Sequence, residues 1–186
     1  MGNIWLTSDT HFGHDREFIW GPRGFKNVYE MNEAIVKNWN AVVEPDDDVY
    51  LLGDVMLGDS EVGIKLLKQL KGNIHIILGN HDTAARQALY NECYNVVDIK
   101  YADVIKYKGY TFYLSHYPTM TSNLEKEFSK HCILNLFGHT HQQTNFYEGK
   151  PFCYHVGMDS HNCTPVSIEQ ALEEIKEEVK KCESYL

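Results

Sequence analysis

Short apolar runs separated by polar turns recur along the chain, and each has the length of a buried strand. Five runs of four or five residues are rich in β-branched and aromatic side chains: residues 4–7, 49–52, 74–78, 110–114 and 133–137. Such runs are typical of strands that are buried on both faces. Residues 95–107 carry a further apolar stretch, for which we expect one or two more strands.

Between the strands, apolar residues recur at helical spacing behind residues that cap helices. Asn27 and Glu30 form a capping-box pattern ahead of Met31, Ile35 and Trp39. We expect further helices after Ser60, over residues 83–93, over residues 121–131, and after Ser167 in a second capping-box pattern. Strands that alternate with helices predict an α/β fold. Because no Pro/Gly/Ser-rich linker divides the chain, we expect a single domain over residues 1–186.

Composition and net charge restrict the kinds of molecule that the protein is expected to bind. The chain has 186 residues, of which 43% are hydrophobic and 23% charged, so a disordered scaffold is excluded. Its 17 Lys and Arg against 26 Asp and Glu give a net charge of −9, which disfavours long nucleic acid and anionic membranes as partners. Neither a membrane-spanning stretch nor a signal-peptide pattern is present. The five cysteines have irregular spacing without Cys-x-x-Cys, so we expect reduced thiols and a cytoplasmic protein. The sequence does not indicate the oligomeric state.

Polar residues follow five of the predicted strands, at the point where each strand ends. In chain order these are Asp9 and His11, then Asp54, then Asn80, His81 and Asp82, then His116, and finally His139 and His141. In α/β sheets the ligand crevice lies at the carboxyl ends of the strands. We therefore expect these side chains to converge on one place although they span more than 130 residues of sequence.

Seven of these side chains are of types that bind metal ions: Asp9, His11, Asp54, Asn80, His116, His139 and His141. One divalent ion takes about four to six donors, so the set suits two ions about 3.5–4 Å apart with one bridging carboxylate. Oxygen and imidazole donors without a thiolate favour Mn²⁺, with iron, zinc or nickel as alternatives. Two such cations polarise phosphoryl oxygens and lower the pKa of a bridging water, which would supply a hydroxide nucleophile.

The five blocks together resemble the calcineurin-like metallophosphoesterase superfamily. The blocks are Asp9-x-His11, Gly53-Asp54, Gly79-Asn80-His81-Asp82, His116 and Gly138-His139-x-His141, and all are present in order. The extended block over residues 8–14, with Asn38-Trp39-Asn40, is similar to a subgroup of small, uncapped bacterial and phage members. The resemblance implies two packed β-sheets, mostly parallel or mixed, flanked by helices.

The resemblance also implies a role for each residue of the blocks. One metal would take Asp9, His11, Asp54 and His141, and the second would take Asp54 as the bridge with Asn80, His116 and His139. His81 would not be a ligand; it would face the substrate phosphate and protonate the leaving oxygen. Apart from the resemblance, the position of Asp82 next to His81 and ahead of a predicted helix suggests that it either orients His81 or caps that helix.

Three further residues are candidates for substrate binding. His14 lies three residues beyond His11 and is expected to contact the substrate phosphate. Arg23 is a candidate phosphate clamp, because a guanidinium matches phosphate oxygens in pairs, and its alternative is a solvated loop residue. Tyr117 either stacks on a base or packs within the protein.

These observations predict a phosphodiesterase that acts on small or nucleotide diesters. The short chain leaves little sequence for a cap, and an open site accepts the second group of a diester. The alternatives are a phosphomonoesterase on nucleotides or phosphoproteins, a nuclease, and a non-catalytic scaffold of the same fold. A scaffold would be expected to have lost His81 or a ligand, and a nuclease needs a basic groove with aromatic side chains, which a net charge of −9 does not support.

Overall fold

Two β-sheets form the centre of the fold. The computed structural model describes residues 2–119 and 128–183. Its strands are β1 (Ile4–Thr7), β2 (Asp48–Leu51), β3 (Asn73–Ile77), β4 (Val96–Lys100), β5 (Asp103–Tyr107), β6 (Tyr110–Leu114), β7 (Ile133–Phe137), β8 (Cys153–His155) and β9 (Val166–Ser167). Its helices are α1 (Glu17–Trp20), α2 (Val28–Val42), α3 (Ser60–Leu67), α4 (Ala84–Tyr90) and α5 (Ile168–Glu183).

Both sheets are mixed. The first has the order β4-β3-β2-β1-β9, in which β1 to β4 are parallel and β9 is antiparallel to β1. The second has the order β5-β6-β7-β8, in which β5 is antiparallel to β6 and the other pairs are parallel. The parallel pairing brings the carboxyl ends of neighbouring strands to the same edge of each sheet. The α/β fold with two packed sheets and flanking helices is thus confirmed.

Each face of the first sheet is covered by an apolar layer. One face packs against α2, α3 and α4, with a core that includes Met31, Ile35, Trp39, Val49 and Ile74. The opposite face packs against the second sheet and α5, with a core that includes Leu6, Phe112, Leu134, Tyr154 and Leu172. Because the centre of the first sheet lies between two apolar layers, its strands β1 and β3 are mainly apolar, whereas the edge strand β4 carries Asp98 and Lys100 and exposes Val97.

The strand predictions agree closely with the structure. All five short runs are strands, and residues 95–107 form both β4 and β5. The strands β8 and β9 were not predicted, because two or three residues carry too little periodicity, and the helix α1 was not predicted because it is a single turn. No helix among residues 2–119 and 128–183 has the length and apolar character that crossing a membrane requires.

Helix starts were predicted with mixed success. Asn27 accepts a hydrogen bond from the N–H of Glu30, and Ser167 Oγ accepts one from the N–H of Gln170, as the two capping patterns predict. The predicted cap at Ser60 is wrong, because the carboxylate of Asp59 accepts the hydrogen bonds at the start of α3. The predicted helix over 121–131 lies outside the described residues up to position 127, and residues 128–131 are not helical.

Candidate metal centre and substrate cleft

The seven predicted ligands lie together where the strands end. Two groups form, and within each the potential ligand atoms are all within 4.8 Å of one another: Asp9, His11 and His141 in the first group, and Asp54, His116 and His139 in the second. Asn80 adjoins the second group, with its amide oxygen 3.0 Å from Nε2 of His116. The loops after β1, β2, β3, β6 and β7 therefore converge as the sequence predicts. That the groups bind metal stays a prediction.

Asp54 lies between the two groups. Its Oδ2 is 3.7 Å from Nε2 of His11 in the first group and 3.5 Å from Nε2 of His116 in the second. Its Oδ1 accepts a hydrogen bond of 2.9 Å from the N–H of His81, which fixes the carboxylate. Burial alone would raise the pKa of Asp54, but the hydrogen bond and positive charge of His116 lower it to about 2. The Asp54 carboxylate is thus ionised and lies within 3.7 Å of a candidate ligand atom from each group.

The first group contains two buried polar atoms that find no hydrogen-bond partner among the described residues. They are Oδ1 of Asp9 and Nε2 of His11. The other oxygen of Asp9 accepts hydrogen bonds from Ser8 Oγ at 2.5 Å and from the N–H of His139 at 2.9 Å. Burial raises the pKa of Asp9 and lowers that of His11 well below its ordinary value. Because unpartnered buried polar atoms are costly, a cation that both can ligate fits this place.

Outer contacts aim two of the imidazoles at the centre. Nδ1 of His116 donates a hydrogen bond to the carbonyl oxygen of Leu52 at 2.7 Å, which leaves Nε2 facing Asp54. Nδ1 of His141 lies 3.0 Å from Oδ2 of Asp159, which leaves Nε2 facing Asp9. Such outer partners set the tautomer and the orientation of a ligating histidine. Hydrogen bonding and the charges of Asp54 and Asp9 outweigh burial and raise the pKa of His116 to about 9, so a metal ion bound at this imidazole would have to displace a proton.

Backbone strain is concentrated in the same loops. Five of the seven candidate ligands have positive φ: Asp9 at 58°, His11 at 47°, Asp54 at 54°, His139 at 68° and His141 at 49°. This conformation disfavours residues with a Cβ, and it persists only where the surrounding structure enforces it. Gly138 shows how close the loops lie, because a Cβ there would be 2.4 Å from Oδ2 of Asp9. Strain of this kind at one place is characteristic of a functional site.

His81 borders the centre without belonging to either group of ligands. Its Nε2 lies 3.9 Å from Oδ2 of Asp54, and its side chain is 39% exposed. The backbone of His81 is held at both ends, since its N–H donates to Asp54 and its carbonyl oxygen accepts from Arg86. This half-exposed ring on a fixed backbone lies where the sequence analysis expects a proton donor, a role that stays a prediction.

Asp82 is placed differently from both expectations. Its carboxylate accepts hydrogen bonds from the N–H groups of Asp54 at 2.8 Å, Val55 at 3.2 Å and Gly79 at 2.8 Å, and from the Tyr90 hydroxyl at 2.7 Å. It therefore neither orients the ring of His81 nor caps α4, whose N-cap is the next residue in the chain. The catalytic assignment of Asp82 is corrected to a positioning one: it ties the loop after β2 to the loop after β3.

Arg23 is also corrected. Its side chain is fully buried, and its guanidinium donates two hydrogen bonds to Asp159, at 3.0 and 2.8 Å, and one to the carbonyl oxygen of Asp9 at 2.8 Å. A guanidinium with these partners and no exposure cannot clamp a substrate phosphate, and it is not a solvated loop residue either. The sequence analysis missed Asp159, which lies 136 residues beyond Arg23 and outside every recognisable motif.

His14 and Tyr117 both lie beside the centre, on opposite sides. The ring of His14 stacks on that of His11 with centroids 5.1 Å apart, and the two Nδ1 atoms are 3.1 Å apart. The ring of Tyr117 meets that of His139 edge-on at 4.6 Å, and the residue is 48% exposed. Their contact with substrate stays a prediction.

An open cleft of about 400 Å³ lies over the candidate ligands. Ten described residues line it: His11, His14, Phe18, Ile19, Asp54, Leu57, Asn80, His81, His139 and His141. Lysine and arginine are absent from this lining set. The cleft therefore combines a polar floor with an apolar wall made by α1 and the loop after β2.

The chain is similar to known proteins in both sequence and fold. A family model described as the calcineurin-like phosphoesterase superfamily domain matches residues 3–178. An uncharacterised protein from Methanocaldococcus jannaschii is 34% identical over 177 residues, which cover 91% of this chain and 89% of the relative. The Gene 66 protein of Mycobacterium phage D29 is 28% identical over the full length of both. The crystal structure of a protein of unknown function from Aquifex aeolicus shares the fold, with a TM-score of 0.69 and 24% identity over 94% of this chain and 100% of that one.

Proposed function

The chain belongs to the calcineurin-like phosphoesterase superfamily, and from this premise we propose that it is a dinuclear metal-dependent phosphodiesterase acting on small or nucleotide diesters. Family membership implies a phosphoric ester hydrolase. The preference for diesters is our inference, and the observation that carries it is the cleft lining, which offers carboxylate, amide, imidazole and apolar groups without a lysine or arginine.

The donors divide into two sets around Asp54. Asp9, His11 and His141 with Asp54 would hold one divalent ion, and Asp54, Asn80, His116 and His139 would hold the other. When bound, two such ions supply Lewis-acid polarisation of the phosphoryl oxygens and an activated water. Mn²⁺ suits the mixture of oxygen and imidazole donors, and iron, zinc and nickel remain alternatives for the native metal.

His81 handles the proton of the leaving group in this proposal. Its backbone is held by Asp54 and Arg86, whereas its ring reaches the cleft and lies close to the bridging carboxylate. A half-exposed imidazole in this position can donate a proton to the departing ester oxygen. Asp82 contributes indirectly, because it holds the backbone N–H groups of Asp54 and Gly79 at fixed positions.

The absence of lysine and arginine from the described lining of the cleft supports a monoanionic diester as the substrate over a dianionic monoester. Arg23 is bound to Asp159 beneath the site and faces no substrate. Burial lowers the pKa of His14, which disfavours the cationic form of this ring. The described residues that line the cleft therefore offer no lysine or arginine to a second negative charge on the substrate. The net charge of −9 disfavours long nucleic acid as the substrate and therefore a nuclease. The presence of His81 and all seven donors supports an enzyme over a non-catalytic scaffold.

The decisive experiment compares ester classes on one preparation. The protein is stripped with chelator, reloaded with Mn²⁺, and assayed for kcat/KM on bis(p-nitrophenyl) phosphate, p-nitrophenyl phosphate and duplex DNA at one salt concentration. We expect activity only after metal is restored, with the diester hydrolysed at least tenfold more efficiently than the monoester. The His81→Ala variant, loaded with metal in the same way, controls for hydrolysis by a contaminant.

Each alternative has its own outcome in this comparison. A preference for the monoester would indicate a phosphomonoesterase. Cleavage of DNA that falls steeply with added salt would indicate a nuclease. Stoichiometric binding of two ions without hydrolysis of any ester, in Mn²⁺, iron, zinc or nickel, would indicate a non-catalytic scaffold.

A further inference from the structure

One end of the cleft is apolar, and it is connected to the metal centre through a row of rings. His14 stacks on His11, and the exposed ring of Phe18 meets His14 edge-on, with centroids 5.7 Å apart and planes at 88°. Ile19, from the same helix, and Leu57, from the loop after β2, complete this wall. The wall is therefore continuous with the place where a phosphate would lie.

The apolar wall cannot serve the phosphate itself. A phosphate needs cations and hydrogen-bond donors, whereas Phe18, Ile19 and Leu57 offer neither. A cleft of about 400 Å³ falls within the range of sites that hold whole small molecules. The cleft thus has room beyond the phosphate, and the group beyond the phosphate must be uncharged and apolar on at least one face.

Phe18 is the exposed member of the wall. It is 69% exposed, whereas the neighbouring Ile19 is 5% exposed and anchors α1 in the core. An aromatic ring that lies open on the rim of a cleft offers a flat face on which another planar ring can stack. Such stacking accepts any base, because every base has a π-face.

We propose that Phe18, backed by Ile19 and Leu57, forms a subsite that stacks the base of a small nucleotide ester whose phosphate lies over the metal centre. This inference rests on the proposed function and narrows its substrate class to nucleotide diesters. The acidic surface restricts the ligand to short nucleotides, since a long polyanion would need basic side chains along its path.

The test measures binding, so that it does not depend on turnover. Calorimetry on the Mn²⁺-loaded protein compares thymidine 5′-monophosphate with methyl phosphate, which carries the same phosphate without a base. We expect the nucleotide to bind more tightly by about tenfold, which lies within the range of alanine substitutions at stacking sites. Phe18→Ala should remove this advantage and leave the affinity for methyl phosphate unchanged, and Phe18→Trp should retain it.

The control variant is Tyr29→Ala, which removes an aromatic ring of similar exposure, 71%, from α2. It should bind both ligands as the parent does. Equal affinity of the parent for the two ligands, or an equal loss for both in Phe18→Ala, would overturn the subsite. A nucleotide advantage that Phe18→Ala abolishes, in a protein that hydrolyses no diester, would support the subsite and refute the proposed function instead.

Discussion

The buried pair of Arg23 and Asp159 makes a prediction that separates metal binding from stability. Asp159 is 4% exposed at its side chain, and it accepts hydrogen bonds from Arg23 and from Nδ1 of His141. Arg23 and His141 hold the pKa of this carboxyl well below its ordinary value, although burial alone would raise it. The substitution Asp159→Asn keeps the shape of the side chain and removes its charge.

Two separate losses are expected from Asp159→Asn. Mutating the carboxylate that accepts a hydrogen bond from a metal-ligating histidine typically costs about 10- to 100-fold in metal affinity, or about 1.4–2.7 kcal/mol. Leaving the Arg23 charge buried without its partner costs about 3–5 kcal/mol of the free energy of unfolding. The first loss follows from the contact with His141, and the second follows from the contact with Arg23.

Variants at Arg23 assign these losses to their causes. Arg23→Met should reduce stability but leave His141 bonded to Asp159, so Mn²⁺ affinity should fall by less than about threefold. The double variant Arg23→Met with Asp159→Asn leaves neither charge buried and should recover most of the lost stability. It should nevertheless keep the weak Mn²⁺ affinity of Asp159→Asn.

The assay has two parts. Mn²⁺ affinity is measured at pH 8 by competition with a fluorescent chelator, and the free energy of unfolding is measured by urea denaturation of the metal-free protein. Mn²⁺ affinity in Asp159→Asn within twofold of the parent would refute the reasoning about His141. Recovery of Mn²⁺ affinity together with stability in the double variant would refute it as well, because the metal effect would then be a consequence of misfolding.

Three further outcomes are expected. Asp54→Asn removes the proposed bridge, so elemental analysis should find fewer than two ions per chain, and two ions at parental affinity would contradict the assignment. His81→Ala should retain both ions while the rate falls by about 10²–10⁴-fold, and a collapse of metal content would identify His81 as a ligand instead. Burial lowers the pKa of His155 from 6.5 to about 3 in the folded protein. Below about pH 6.5 His155 therefore binds a proton in the unfolded chain but not in the folded one, so the free energy of unfolding falls as the pH drops. Between pH 7 and pH 5.5, the free energy of unfolding of the metal-free His155→Gln variant, measured by urea denaturation, should fall by about 1 kcal/mol less than that of the parent. Equal decreases in the two proteins would contradict this account.

Much of the fold follows from local pattern. The runs at β1, β2, β3, β6 and β7 are long enough and apolar enough to be recognised as buried strands. The capping patterns at Asn27 and Ser167 likewise depend on contacts within one turn of helix, so their outcome is visible in the sequence. The one-turn helix α1 and the two-residue strand β9 are stabilised by their neighbours and carry no pattern of their own.

The convergence of the seven donors was also predictable. Each donor lies two to four residues beyond the end of a strand, and the ends of parallel strands meet at one edge of a sheet. The sequence therefore determined which side chains meet, and the tertiary structure decided how each is aimed. The positive φ of Asp9, Asp54 and His139, for example, is enforced by the surrounding structure, and although Asp and His adopt this conformation more often than most residues, their presence in a sequence does not specify it.

The two corrected residues show where sequence reasoning ends. Arg23 and Asp82 have the chemistry of a phosphate clamp and of a catalytic carboxylate, and their residue types alone permit both roles. Only the structure shows that Arg23 is bound to Asp159 beneath the site and that Asp82 is bound to the N–H groups of Asp54 and Gly79. The sequence by itself determined the strands, the donor set and the family resemblance, because these depend on local composition and order. The tertiary structure decided which charged groups face the cleft and which hold its loops, because burial and pairing arise from contacts between residues far apart in the chain.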